Sequence, residues 1–303
     1  MILYKQRNFS EILNDTFAFI RENGKHFFTL YLQSAGIPLV ILIPFFYYYY
    51  QLTANTLLDK TRGLGLMISY YYDKYPELLI LILIVVAVVF IAFLVINNTF
   101  VPAYMYYYQE RGTNFTVRDI FVFIKEHWLR ILIFGIIGTI VIIPLGIVAG
   151  LLSFILLITI VGVILPLITL SLWYGLWYMD YMLDNRDIFQ SFSEAWRLLT
   201  TKFWSYFGAF AVLFVVAYII QQGLSLGFNL LFMMKYMQSV KEGVENSLSS
   251  HLYAAAMVFI QYFIGVFFQL VLAISIAIIY FSAREERYQI GGREEIEQIG
   301  RAE

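Results

Sequence analysis

The stretch that decides the fold is residues 78–96, which read LLILILIVVAVVFIAFLVI and contain no charged or polar side chain. The hydrocarbon core of a bilayer is about 30 Å thick, and a helix needs roughly 20 apolar residues to cross it. This run therefore predicts a transmembrane helix. A membrane β-barrel is not indicated, because its strands are short and alternate between apolar and polar residues.

Apolar stretches on either side of this run predict five more spans. These four stretches are residues 27–50, residues 131–179, residues 203–234 and residues 252–283. The charge-free stretch of residues 131–179 is too long for one helix and fits two, with a turn near Gly146 and Gly150, just after Pro144. We therefore expect an all-α membrane protein with six transmembrane helices.

The composition agrees with this fold and narrows the function. Of the 303 residues, 61% are hydrophobic and 14% are charged, whereas soluble domains are about half apolar and a quarter charged. The net charge of −1 provides no basic field that would attract nucleic acid. The chain has no cysteine, and its three histidines lie far apart in the sequence. We therefore predict neither a metal site nor a cofactor.

The distribution of Lys and Arg predicts the orientation in the membrane. All but five of the 20 basic residues flank the predicted spans on one side. The five on the opposite side are Lys60, Arg62, Lys74, Lys235 and Lys241. Because cytoplasmic flanks are rich in Lys and Arg, we expect both termini in the cytoplasm and the chain in the cytoplasmic membrane.

A short amphipathic segment precedes each odd-numbered span, with apolar residues at helical spacing. The first contains FAFIRE at residues 17–22, and the second contains FVFIKE at residues 121–126. In the third, the apolar face comprises Phe189, Phe192, Trp196 and Leu199. Each segment also carries a capping pair, in which an acidic side chain three residues on reaches back to the helix start. The pairs are Asn8 with Glu11, Thr116 with Asp119, and Ser191 with Glu194.

These similarities predict three parallel repeats, each made of an amphipathic interfacial helix and a two-span hairpin. The repeats comprise residues 8–112, 113–186 and 187–283 within a single membrane domain of residues 1–283. A polar cytoplasmic tail is expected at residues 284–303. Parallel repeats are related by an axis along the membrane normal, so three in-plane helices are expected on the cytoplasmic face.

Three parts of the chain carry a family resemblance. They are residues 8–17 (NFSEILNDTF), residues 36–38 (GIP) in the first span, and residues 280–288 (YFSAREERY) with the Gly291 that follows. With these, the chain resembles the six-span membrane-domain family named after the membrane part of some bacterial glycerophosphoryl diester phosphodiesterases. In that family the activity belongs to a separate barrel domain, and a barrel needs about 250 residues. The resemblance therefore implies a bacterial inner-membrane protein without the catalytic domain.

Polar side chains inside the spans are the first place to look for a site, because such groups are costly in a membrane and often functional. The candidates for a polar cavity are Gln33, Asn97, Asn98, Gln221, Gln222 and Gln261. All are uncharged, so we expect an apolar bundle interior without buried charge. The alternative is that these amides serve only as hydrogen-bonding groups between helices.

We expect a non-enzymatic membrane protein, since the sequence has no Gly-rich phosphate loop, catalytic triad or metal-binding cluster. Its function would be to scaffold a partner protein, or to bind and organise the lipid bilayer. The candidate docking face on the cytoplasmic side comprises Arg21, Lys125, Arg197, Arg284 and Arg287.

Two other hypotheses remain open at this point. The first is a transporter or channel that conducts a small amphiphilic or lipid-like molecule along the repeat axis. The second is a membrane enzyme that acts on lipid through Asp180, Asp184 and Asp187, which lie near one predicted interface. A simpler interpretation of Asp180 and Asp184 is that they face lipid headgroups or the basic flanks of the spans.

Overall fold

The computed structural model describes residues 1–58, 74–156, 160–184, 186–241 and 248–290. These residues form helices and short connections, and they contain no strand. The helices are α1 (Phe9–Leu58), α2 (Pro76–Arg111), α3 (Val117–Glu126), α4 (Trp128–Ile155), α5 (Ile160–Leu183), α6 (Ile188–Thr201), α7 (Phe203–Lys241) and α8 (Leu248–Tyr288). The all-α class expected from the sequence is confirmed for this part of the chain.

Five helical stretches are long and apolar enough to cross a membrane. They are Phe9–Ile43 in α1, Ile80–Arg111 in α2, Trp128–Ile155 in α4, Phe203–Lys235 in α7 and Ala256–Tyr288 in α8. By length and composition these helices are those of an integral membrane protein. The helix α5, with 24 residues, occupies the place of the predicted fourth span. A sixth crossing and the cytoplasmic position of the termini stay predictions.

The helix α4 corrects the predicted boundary between the third and fourth spans. The turn expected near Gly146 and Gly150 is wrong, because α4 continues through Pro144 and both glycines as far as Ile155. A proline is tolerated inside a membrane helix when nearby groups satisfy the freed backbone atoms. A Cβ atom on either glycine would meet no heavy atom within 4 Å, so neither residue serves a close approach of helices.

Two of the three amphipathic segments are separate short helices. The helices α3 and α6 have 10 and 14 residues, and a single residue separates each from the long helix that follows. This residue is His127 before α4 and Lys202 before α7. The expected separate first helix is wrong, because α1 runs unbroken from Phe9 through residues 17–22.

The residue after each hexapeptide makes different contacts in the two segments. Asn23, which follows FAFIRE, directs its side-chain amide away from its own backbone and donates to the Tyr108 hydroxyl at 3.4 Å. His127, which follows FVFIKE, turns back and places its Nδ1 2.9 Å from the Phe123 carbonyl oxygen. His127 is the C-cap of α3, and its backbone N–H also donates to the Phe123 carbonyl oxygen at 3.0 Å.

Two of the three predicted capping pairs are confirmed. At the start of α1, the Glu11 N–H donates to Asn8 Oδ1 at 3.0 Å, and the Asn8 N–H donates to Glu11 Oε2 at 2.8 Å. At α3, the backbone N–H and the hydroxyl of Thr116 donate to the Asp119 carboxylate at 2.7 and 2.9 Å. These hydrogen bonds hold the pKa of Asp119 below its usual value.

The third predicted pair, Ser191 with Glu194, is wrong. The N-cap of α6 is Asp187, whose carboxylate accepts from the Phe189 N–H at 3.0 Å, and Gln190 completes the capping box. Ser191 and Glu194 instead lie inside α6 and are buried. The reason is that the Glu194 carboxylate contacts arginine side chains, as described below, and does not reach back to the helix start.

The predicted apolar face of α6 is divided between two environments. Leu199 is buried and Phe192 is half-buried against Trp177, with ring centroids 5.2 Å apart. Phe189 and Trp196 are 64% and 54% exposed. The helix therefore packs through part of its apolar face and leaves two large aromatic side chains outside.

The expected polar tail at residues 284–303 begins as helix, because α8 continues to Tyr288. Residues 291–303 lie outside the described residues. Arg284 and Arg287 therefore belong to the last turns of α8, where basic side chains interact favourably with the helix dipole.

The chain divides into two compact units. Unit 1 comprises Met1–Tyr31, Thr99–Ala217 and Gln269–Glu303, and unit 2 comprises Leu32–Asn98 and Tyr218–Phe268. The core of unit 1 is rich in edge-on aromatic pairs. Phe27, for example, lies 4.9 Å from Tyr104 and 5.1 Å from Phe100, measured between ring centroids. The repeat boundaries predicted from the sequence stay a prediction.

Candidate functional site

A group of charged side chains in the described part of unit 1 lies where α5 ends and α6 and α8 approach it. We call it the arginine–carboxylate cluster. It comprises Asp180, Asp184, Arg186, Glu194, Arg197, Arg284 and Arg287. The local sequence explains its position, because the charge-free stretch ends at Met179 and acidic and basic residues follow at once.

Arg186 is the centre of this cluster and contacts three carboxylates. Its Nη1 lies 3.6 Å from Asp180 Oδ1 and 3.5 Å from Glu194 Oε2, and its Nε lies 3.0 Å from Asp184 Oδ2. Asp180 is fully buried, and Glu194 is 5% exposed. Although burial opposes it, the three carboxylates raise the pKa of Arg186 above its usual value. Arg186 therefore stays charged and joins the end of α5 to α6.

The end of α8 contributes the other side of the cluster. Arg284 Nη1 lies 2.9 Å from Asp184 Oδ2 and donates to the Tyr280 hydroxyl at 2.8 Å. The Tyr280 hydroxyl lies 3.5 Å from Asp180 Oδ1. The Tyr288 hydroxyl donates to the Glu194 carboxylate. Because each buried carboxylate has partners from two or more segments, the cluster fixes α5, α6 and α8 in one arrangement.

Arg130, near the start of α4, satisfies the backbone at the end of α5. Its Nη2 donates to the carbonyl oxygen of Tyr181, and to that of Arg186 at 2.9 Å. Its guanidinium carbon lies 4.3 Å from the centroid of the Tyr181 ring. A basic side chain at this position stabilises the unpaired carbonyl groups and the negative end of the helix dipole.

A buried charge outside the cluster holds the first residues of the chain. Arg7 is 1% exposed, and its Nε donates to Asp15 Oδ2 at 2.8 Å. Its Nη1 and Nη2 donate to the carbonyl oxygens of Leu3 and Ile2, both at 2.7 Å. Its backbone N–H donates to Ser282 Oγ in α8 at 3.0 Å. The guanidinium therefore replaces its lost hydration with carbonyl and carboxylate oxygens.

The buried charges of unit 1 lie outside the predicted apolar stretches, so the expectation of an apolar bundle interior stays a prediction. Arg7, Asp180 and Glu194 are all buried in unit 1. Of the two surroundings expected for Asp180 and Asp184, the structure shows the basic flanks. Sequence reasoning missed the roles of Arg7, Arg130 and Arg186. Each acts on groups from another helix or on backbone carbonyls, which leave no signal in residue spacing.

The five residues of the predicted docking face all lie in unit 1. Arg197, Arg284 and Arg287 belong to the cluster, where Arg197 Nη1 and Arg287 Nε lie 3.8 and 4.0 Å from the Glu194 carboxylate. Arg21 and Lys125 are exposed on α1 and α3, within the related segments FAFIRE and FVFIKE.

The six residues of the predicted polar cavity all lie in unit 2. Among them Gln33, Asn98 and Gln222 are exposed, Asn97 is buried, and Gln221 and Gln261 are half-buried. Asn98 donates to the Leu94 carbonyl oxygen at 2.8 Å, and Gln222 donates to the Tyr218 hydroxyl at 3.1 Å. A shared cavity, and with it the transport hypothesis, stays a prediction.

The carboxylates of the lipid-enzyme hypothesis all have structural partners. Asp180 and Asp184 contact Arg186, and Asp187 caps α6. Within the described ranges, no group of three His, Asp or Glu residues could hold a metal ion. No family model matches the chain, and neither a curated protein nor a solved structure matches it. The resemblance to the six-span membrane-domain family therefore stays a prediction.

Proposed function

We propose that the chain is a non-enzymatic integral protein of the bacterial cytoplasmic membrane that scaffolds a partner protein on its cytoplasmic side. Five apolar helices support the membrane assignment. The asymmetry of Lys and Arg supports a cytoplasmic location for both termini. The end of unit 1 that carries the arginine–carboxylate cluster is then the cytoplasmic end.

The observation that carries this proposal is the cluster itself. It engages Asp180, Asp184 and Glu194 in ion pairs, and it has more arginines than carboxylates. The side chains of Arg197 and Arg287 are 61% and 38% exposed. Arg197 and Arg287 thus present two exposed positive charges on a fixed surface, and these are complementary to an acidic segment of a cytoplasmic protein.

The test is recovery of a partner with the tagged full-length chain, crosslinked in cells and purified in mild detergent. We expect one protein in stoichiometric amount, carrying an acidic segment at the crosslink. The double variant Arg197→Gln with Arg287→Gln should lose it, because the exposed positive charges are removed. The control Lys74→Gln makes a similar charge change at a site expected on the opposite side of the membrane, and it should retain the partner.

Two results would contradict the proposal. One is repeated recovery of the wild-type chain without any protein in stoichiometric amount. The other is equal recovery of the partner with the double variant, provided that the variant is folded by circular dichroism and elutes as a single peak.

A further inference from the structure

The end of α8 is held from two sides. Arg284 and Tyr288 face the arginine–carboxylate cluster, where Arg284 Nη1 lies 2.9 Å from Asp184 Oδ2. Ser282 is fully buried and accepts a hydrogen bond from the Arg7 backbone N–H at 3.0 Å. Because each residue turns a helix by about 100°, Ser282 lies about 160° round the helix from Arg284. The chain segment that contains Arg7 therefore packs against the side of α8 opposite to the cluster.

The segment before α1 is folded around a single side chain. We call residues 2–7 the Arg7 clasp. The Arg7 guanidinium donates to the carbonyl oxygens of Ile2 and Leu3, both at 2.7 Å, and to that of Lys5 at 3.0 Å. Hydrogen bonds from a charged donor are stronger than those between neutral groups. Because one buried side chain makes all three bonds, the conformation of the clasp depends on Arg7.

The clasp joins α1 to α8. On one side, Arg7 Nε donates to Asp15 Oδ2 in α1 at 2.8 Å. On the other side, the Tyr4 ring packs edge-on against Phe281 in α8, with ring centroids 5.1 Å apart. Phe281 is 1% exposed and directly precedes the buried Ser282. The clasp thus contacts α8 at two adjacent buried residues, close to the turns that carry the cluster arginines.

A third contact at this end of α8 is open to solvent. Lys202 Nζ lies 2.6 Å from Glu286 Oε2, and the two side chains are 36% and 24% exposed. Water and salt weaken an ion pair of this kind. Arg7 and Ser282 are both buried, and a hydrogen bond is stronger in such surroundings. The clasp is therefore the firmer support of α8 on the side away from the cluster.

We propose that Arg7 is a positioning residue for the docking surface of the cluster. Arg287 lies in the last turn of α8, five residues after Ser282. The place of its side chain therefore follows from how the clasp holds the end of this helix. Arg7 is itself buried and acts only through α8. This inference rests on the proposed docking function, but the hold on α8 can be measured without a partner.

The first test is hydrogen–deuterium exchange of the full-length chain in detergent, measured by mass spectrometry. In Arg7→Gln we expect residues 281–288 to exchange about tenfold faster, because the lost hydrogen bonds to a charged group let the end of α8 open. The helix α3, which is capped locally by Thr116 and Asp119, should keep its wild-type rate. Ser282→Ala removes one acceptor and should accelerate residues 281–288 by about fivefold.

Two further variants show whether this effect is specific. Lys5→Gln makes the same charge change within the clasp, but its side chain is 45% exposed, so exchange should stay unchanged. Thr99→Val removes a bond between α2 and α5 and should not accelerate residues 281–288 more than α3. The positioning role is overturned if Arg7→Gln leaves the exchange of residues 281–288 unchanged, or accelerates α3 equally. If Arg7→Gln does not fold, the same two outcomes in Ser282→Ala decide.

The second test repeats the partner crosslinking with the clasp variants. Where the wild-type chain recovers a partner, Arg7→Gln should lose it and Lys5→Gln should retain it. Equal recovery with the folded Arg7→Gln chain overturns the positioning role even if exchange is faster. Failure of the wild-type chain to recover any partner contradicts the docking function itself. In that case the exchange rates still decide whether Arg7 holds the end of α8.

Discussion

Polar side chains described in the two units of the molecule illustrate two kinds of hydrogen bond. In unit 1, hydrogen bonds join helices that are distant in sequence, as between the Thr99 and Tyr178 hydroxyls at 2.7 Å. In unit 2, Asn98, Gln222 and Asn229 donate to atoms four residues earlier in their own helices. Bonds between helices fix their relative positions, whereas bonds within a helix leave its packing to apolar contacts. We therefore expect substitutions of polar and closely packed residues to affect unit 1 more strongly.

The largest effect is expected from Arg186→Gln in unit 1. This change leaves the fully buried Asp180 without its nearest guanidinium and should cost about 3–5 kcal/mol of the free energy of unfolding. Denaturant unfolding in detergent, followed by circular dichroism, measures this cost. Acid should restore part of the loss, because protonation removes the unpaired charge on Asp180.

The matched control for this change is Arg197→Gln, whose side chain is 61% exposed. Solvent screens an exposed ion pair, so its loss should change stability little. If both variants unfold at the same denaturant concentration as the wild-type chain, the cluster does not hold unit 1 together.

A smaller effect is expected from Gly175→Ala in α5. A Cβ atom at this position would lie 2.6 Å from Ile276 Cδ1 and 3.0 Å from Ile276 Cγ2, so the β-branched side chain in α8 must shift. We expect a loss of about 1–3 kcal/mol in the free energy of unfolding. The additional change Ile276→Ala should remove the clash, so the two substitutions should be strongly non-additive.

Gly223→Ala in unit 2 is the matched control for this clash. A Cβ atom there meets no heavy atom within 4 Å, and alanine favours a helix over glycine by up to about 1 kcal/mol. We expect equal or greater stability. If Gly223→Ala lowers the free energy of unfolding as much as Gly175→Ala does, the two units are equally intolerant of added volume.

A third pair compares hydrogen bonds. Thr99→Val removes the bond to the Tyr178 hydroxyl at nearly constant volume, and it should cost about 1 kcal/mol. Thermal unfolding in detergent measures the change as a lower melting temperature. An unchanged melting temperature would mean that Tyr178 finds another partner without loss.

The smallest effect is expected from Gln222→Leu in unit 2. The Gln222 side chain is exposed and donates to the Tyr218 hydroxyl, one turn earlier in the same helix. Its loss should stay within about 0.5 kcal/mol. A melting temperature well below that of the wild-type chain would indicate a role in packing or in a polar cavity, as the sequence prediction proposed.

The apolar runs predict much of the fold, because burial in lipid is a property of composition over about 20 residues. Residues 78–96 are unmistakable by this criterion, and the capping pairs at Asn8 and Thr116 follow from local spacing. The end of α4 does not follow from local signals. Pro144 and two glycines indicate a turn in water, yet a helix with exposed apolar side chains continues through them.

The candidate site depends on contacts that no local pattern contains. Arg7 bonds to Ser282, which lies 275 positions further along the chain. Tyr288 and Glu194 meet across 94 positions. The sequence predicts that basic residues lie on one side of the spans, and this prediction placed three of the cluster arginines in the docking face. It does not show which of them point inward, because that depends on how α5, α6 and α8 pack.

The one-residue connection at His127 has a consequence for how this sequence can change. Each residue added to a helix turns its face by about 100°. An insertion or deletion between Glu126 and Trp128 would therefore rotate the outer surface of α3 relative to α4. Phe123 could then no longer stay buried while Phe121 stays exposed. The length of this connection determines how α3 is rotated relative to α4. We therefore expect the connection to tolerate substitution but not a change in length.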